Sequence, residues 1–132
     1  MNKEKVILLI EDDPDIAWIV QLQLKQAGYR VHAAMDGISG LAHFIEVGAD
    51  LLLLDIDLPG LNGWEVYSRV RAVSQVPIIM LTAYSQERHS QPLGFGGCSD
   101  RCVEKPFSIA ELKAHIEDAL VSSFPVEAVL QA

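Results

Sequence analysis

Apolar residues in this chain follow two rhythms. VILLIE (6–11), DLLLLD (50–55) and PIIMLT (77–82) are short runs without polar alternation, which predicts strands covered on both faces. YRVHAA (29–34) and RCVEK (101–105) are weaker runs of the same kind. Between them, apolar residues recur every three or four positions, as on one side of a helix. In DPDIAWIVQLQLKQAG, residues Ile16, Ile19, Val20, Leu24 and Ala27 form such a stripe, with Asp13 as N-cap, Pro14 in the first turn and Gly28 just past the end. Ile38, Leu41, Ala42 and Ile45 predict the inner face of a second helix. Val66, Val70 and Val73 predict a third, with Asn62 and Glu65 spaced to cap it reciprocally. In SIAELKAHIEDAL, Ser108 and Glu111 have capping-box spacing, and Leu112, Ile116, Ala119 and Leu120 face inward.

Strand and helix therefore alternate, which predicts an α/β fold: a doubly wound five-stranded parallel sheet with helices on both faces. In such a sheet all strands end at one edge, and ligands bind there. Glu11 and Asp12 follow the first strand, Asp55 ends the third, Thr82 the fourth and Lys105 the fifth. Carboxylates from two strands make a hard-oxygen pocket suited to Mg²⁺, which takes one or two protein carboxylates and keeps several waters. Asp55, on the middle strand, is then the nucleophile for a phosphoryl group, which a bound cation would bring close to the acids. Thr82 would donate a hydrogen bond to phosphoryl oxygens and Lys105 would meet them as a point charge. Asp13 is better read as the helix cap than as a further ligand.

Composition narrows the setting. At 132 residues the chain suits one domain, and its net charge of −8 argues against direct nucleic acid binding and against a polybasic membrane patch. MNKEKVILLIEDD is neither a signal peptide nor a membrane-spanning helix, so the expected location is cytoplasmic. Cys98 and Cys102 are then expected as reduced thiols, too few for a zinc site. His32, His43, His89 and His115 show no metal-ligand spacing. Trp18 and Leu22 lie one turn apart, off the core stripe of the first helix, where they could serve partner docking.

IEDDP, LLLLDIDLPGLNGWE, IIMLTA and VEKPF, in that order, resemble the acidic turn, phosphoacceptor strand and loop, hydroxyl strand and lysine strand of response regulator receiver domains. The resemblance covers roughly residues 4–121, leaving 122–132 as a C-terminal tail or the start of a linker. It implies a (βα)5, flavodoxin/CheY-like three-layer sandwich with strand order 2-1-3-4-5, and phosphorylation at Asp55. Asp12 would hold Mg²⁺ directly and Glu11 through water, with the Asp57 backbone carbonyl as a further ligand. Thr82, Ala83 and Lys105 would serve phosphate binding and switching, and Lys105–Pro106 would be a cis peptide. The implied partners are a sensor histidine kinase or a histidine phosphotransfer protein, with an effector domain or a homodimer for output. Such a domain is a signalling phosphoacceptor that assists its own phosphorylation and dephosphorylation.

Two features depart from the family pattern. Cys102 stands where an aromatic residue usually precedes the lysine, which leaves Tyr84 and Cys102 as candidate readout residues. Within 85–100, Pro92, Gly94, Gly96 and Gly97 each weaken a helix, so the helix expected there is short, frayed or poorly ordered. Two other classes compete. A haloacid-dehalogenase-type aspartate phosphatase shares Asp55-Ile-Asp57, but it usually carries Thr or Val where Pro59 stands. A flavodoxin-like binding module would need a phosphate-holding loop where EDDPD would repel the ligand.

Overall fold

The computed structural model describes residues 4–82 and 101–122. Five strands form one parallel sheet: β1 (Val6–Ile10), β2 (Arg30–Ala34), β3 (Leu51–Asp55), β4 (Ile78–Thr82) and β5 (Arg101–Glu104), in the order β2-β1-β3-β4-β5. Four helices lie among the described residues: α1 (Pro14–Gln26), α2 (Gly37–Val47), α3 (Gly63–Arg71) and α4 (Ile109–Ser122). Residues 85–100, where a weakened helix is expected, lie outside the described residues, as does most of the 122–132 tail.

The unbroken apolar runs become strands because both faces of the sheet are covered. Alternate residues split between two cores. Ile7, Leu9, Leu51, Leu53, Ile79 and Leu81 pack with α1 and α4. Leu8, Ile10, Leu52, Leu54, Ile78 and Met80 pack with α2 and α3. Each fully buried aliphatic side chain contributes about 1.5–3 kcal/mol, so the three central strands form the rigid part of the molecule.

The caps follow the sequence. Asp13 accepts from the N–H groups of Asp15 and Ile16, Asn62 from Glu65 and Ser108 from Glu111. Asp36, unnoticed in the sequence, caps α2 by accepting from the Ser39 N–H at 2.7 Å.

Several helix faces differ from the periodicity. On α1 the sheet meets Ala17, Val20 and Leu24, with Ile16 at the margin, whereas Ile19 and Ala27 are exposed. On α2 the difference is larger: Ile38 and Ile45 are 66% and 69% exposed, Ala42 is exposed, and Gly37, Gly40 and Phe44 face inward. The reason is clearance. A Cβ at Gly40 would sit 2.6 Å from Ile10 Cγ1, so α2 approaches the sheet through glycines and its larger aliphatics turn outward. Val73 is also exposed, because α3 ends at Arg71 and the phase is lost.

Candidate functional site

β1, β3, β4 and β5 deliver the predicted residues to one edge of the sheet. Glu11 follows β1 directly, and its N–H still donates to the Ala34 carbonyl at 3.0 Å, which continues the ladder and holds the residue inward. It is completely buried, while the next residue, Asp12, is exposed. Asp55 closes β3 at 3% exposure, and Thr82 closes β4 fully buried. The Lys105 N–H donates to the Thr82 carbonyl at 2.7 Å, so the residue after β5 is tied to the end of β4. The Lys105–Pro106 peptide is cis.

These residues meet through their charges. Lys105 Nζ lies 2.9 Å from Glu11 Oε1 and 3.4 Å from Asp55 Oδ2. Asp55 Oδ1 accepts from the Asp57 N–H at 3.1 Å, and Glu11 Oε2 accepts from the Asp13 N–H at 3.1 Å. Carboxylate oxygens of Glu11, Asp12 and Asp55 all lie within 4.8 Å of one another. Two buried carboxylates therefore share one ammonium, with a third acid at the rim.

That imbalance sets the titration of Asp55. Burial, then the negative charge of Glu11 and a direct contact with its carboxyl, push Asp55 up to about 8, against the opposing pull of Lys105 and the Asp57 N–H. Burial also works against the Lys105 ammonium, but contact with Glu11 and the charges of both acids outweigh it, and its pKa is raised.

The donor set suits a hard divalent cation. Glu11 Oε1 is buried and has no aligned hydrogen-bond donor, although Lys105 Nζ is 2.9 Å away. The contact is an ion pair with poor hydrogen-bond alignment, and the oxygen keeps acceptor capacity. All three acids offer oxygen, the chemistry that Mg²⁺ takes.

The remaining sequence-predicted residues fall in different places. Asp57 is exposed on the loop after β3. Trp18 on α1 is 64% exposed and Leu22 is half-buried one turn on. Cys102 is half-buried in β5, and Cys98 lies outside the described residues. Ala83 and Tyr84 lie outside the described residues. Gly63 is the first residue of α3. A Cβ there would collide with the Asp55 carbonyl oxygen and sit 2.6 Å from Ile56 Cα, so α3 begins directly against the end of β3.

The chain matches the response regulator receiver domain family over residues 7–117 and belongs to that family. Among its relatives are the DNA-binding dual master transcriptional regulator RpaA of Synechocystis, 38% identical, and the uncharacterized transcriptional regulatory protein YkoG of Bacillus subtilis, 44% identical. Each match covers 86% of this chain but only 48% and 50% of the relative, so the chain spans about half the length of these proteins. Among solved structures it is similar to response regulator TrrA of Thermotoga maritima in complex with Mg²⁺-BeF, with a TM-score of 0.78 and 34% identity over 87% of this chain and 98% of that one. It is also similar to the receiver domain of a Pseudomonas aeruginosa sensor histidine kinase with magnesium coordinated in its active-site cleft, with a TM-score of 0.80 and 32% identity over 89% and 98%. The fold is thus the CheY-like, flavodoxin-type sandwich, and the chain is a signalling domain of two-component systems. Neither competing class gains support from these matches. Among the described residues, no helix is long and apolar enough to cross a membrane.

Proposed function

We propose that Asp55 accepts a phosphoryl group from the phosphohistidine of a sensor histidine kinase or a histidine phosphotransfer protein. The observation that carries this reading is the Lys105 ammonium standing between Glu11 and Asp55, with Asp12 beside them at the rim. An Asp55 carboxylate oxygen attacks phosphorus, the phosphorus–nitrogen bond of the donor breaks, and the imidazole leaves with that electron pair. Lys105 meets the phosphoryl oxygens as a fixed charge, and Thr82 turns its hydroxyl toward them. Ala83, the next residue in the sequence, would share in phosphate binding and switching.

Mg²⁺ would be held by the carboxylates of Asp12 and Asp55 and the Asp57 carbonyl, with Glu11 acting through water. Bound there, it supplies charge neutralisation between the acids and the incoming phosphoryl group. The same groups assist hydrolysis of the acyl phosphate.

Phosphorylation then redraws the bonding of Thr82 and Lys105 and shifts a two-state equilibrium of the domain. Residues 4–121 are the working unit and 122–132 a C-terminal tail or the start of a linker, with an effector domain or a homodimer for output. Tyr84 and Cys102 are the candidate readout residues, and Trp18 with Leu22 is the candidate docking surface for a partner. A cytosolic setting belongs to the same reading.

The test is direct. With acetyl phosphate or phosphoramidate and Mg²⁺, the intact mass rises by one phosphoryl group, and Asp55→Asn abolishes the gain. Equal labelling of the variant overturns the assignment.

A further inference from the structure

The loop Ile56–Asn62 joins β3 to α3 and carries the Asp57 carbonyl. It is gripped at both ends by residues without side chains. At its start, the Gly63 N–H donates to the Ile56 carbonyl at 2.9 Å, and a Cβ at Gly63 would collide with the Asp55 carbonyl oxygen. At its far end the contact comes from α2, an element with no part in the chemistry. A Cβ at Gly37, the first residue of α2, would collide with the Leu61 carbonyl oxygen and lie 3.0 Å from Leu61 C and from Val66 Cγ2.

We infer that Gly37 is a positioning residue for the cation site: its bare Cα lets the start of α2 press on the Leu61 carbonyl and so set where the loop carries Asp57. The inference rests on the metal reading above. Its physical content lies in which body yields when the contact is crowded. α2 is held by the Asp36 cap, by Gly40 against Ile10 and by buried Phe44. The loop exposes Asp57, Pro59 and Gly60, and Gly60 has φ +72°. A side chain at Gly37 therefore moves the loop rather than the helix, and the colliding atom is backbone, which no rotamer change relieves.

The test compares Gly37→Ala with Gly40→Ala. The three heavy atoms nearest a Cβ at Gly40 all belong to the Ile10 side chain, and none to the loop. Each protein is titrated with MgCl₂ and followed by backbone amide NMR shifts, with thermal denaturation in chelator run alongside. Both variants lower the melting temperature. Gly37→Ala weakens Mg²⁺ binding about tenfold, the size seen when the support of a metal ligand is lost, while Gly40→Ala stays within about twofold of the wild type.

A folded Gly37→Ala that binds Mg²⁺ like the wild type overturns the inference and leaves the metal reading intact. A wild type whose amides ignore Mg²⁺ removes the metal reading first, and this inference with it. Where Gly37→Ala fails to fold, the wild type decides: the Gly37 amide shifts with the same midpoint as Asp57 while Gly40 stays still, and an unmoved Gly37 overturns the inference.

Discussion

Asp55 sits under strain of an electrostatic kind: it is buried, faces the Glu11 carboxylate, and shares one ammonium with it. Its pKa in the folded protein, about 8, lies above the ordinary 3.8 that it regains on unfolding. Between these values the folded state holds a proton that the unfolded state has lost, so stability is greatest at low pH within the window and falls as pH rises toward 8. In chelator, urea denaturation from pH 5 to 9 is expected to show this decline, and Asp55→Asn to flatten it. The variant should exceed the wild type above pH 8 by on the order of a few kcal/mol. Because Mg²⁺ competes with that proton, apparent Mg²⁺ affinity should rise with pH up to about 8 and level off above it. Lys105 has the opposite effect on the site. Lys105→Met keeps the stem but leaves the buried Glu11 carboxylate without its counter-charge. It should cost about 1–3 kcal/mol at pH 7, since the ammonium is partly solvated, and should slow labelling by acetyl phosphate at saturating Mg²⁺.

At the scale of elements, α2 is the one to probe, because its sequence and its packing disagree. By periodicity Ile38 and Ile45 are core residues; in the fold they are exposed, and Phe44 is buried with Gly37 and Gly40. Ile38→Gln and Ile45→Gln are each expected to change the unfolding free energy by less than about 0.5 kcal/mol. Phe44→Ala should cost about 3–5 kcal/mol. Denaturant titration of the three variants separates the two assignments. Helix periodicity fails here for a definite reason. A stripe calculation looks for large apolar residues, whereas a helix that approaches a sheet closely needs small ones, and then turns its bulk toward solvent. The ends of α1, α3 and α4 were readable because Asp13, Asn62 and Ser108 cap by local hydrogen bonds, which depend only on near neighbours in the chain.

For the whole molecule, cation binding at this site would couple to stability, since the site is assembled from segments that separate on unfolding. Added MgCl₂ should raise the melting temperature of the wild type, and Asp12→Asn or Asp55→Asn should lose most of that rise. A differential scanning experiment across Mg²⁺ concentrations checks it.

The chain alone determined the sheet, the layering and the chemistry at the strand ends. Doubly buried strands leave unbroken apolar runs, and a polar residue closing such a run can only lie at the rim. Tertiary structure decided what depends on distance between remote residues. It buried Glu11 beside Lys105 while leaving its neighbour Asp12 exposed. It placed Gly63 against the Asp55 carbonyl and Gly37 against Leu61. Those outcomes depend on clearances of a few tenths of an ångström between elements far apart in the chain, which the order of residues does not encode locally.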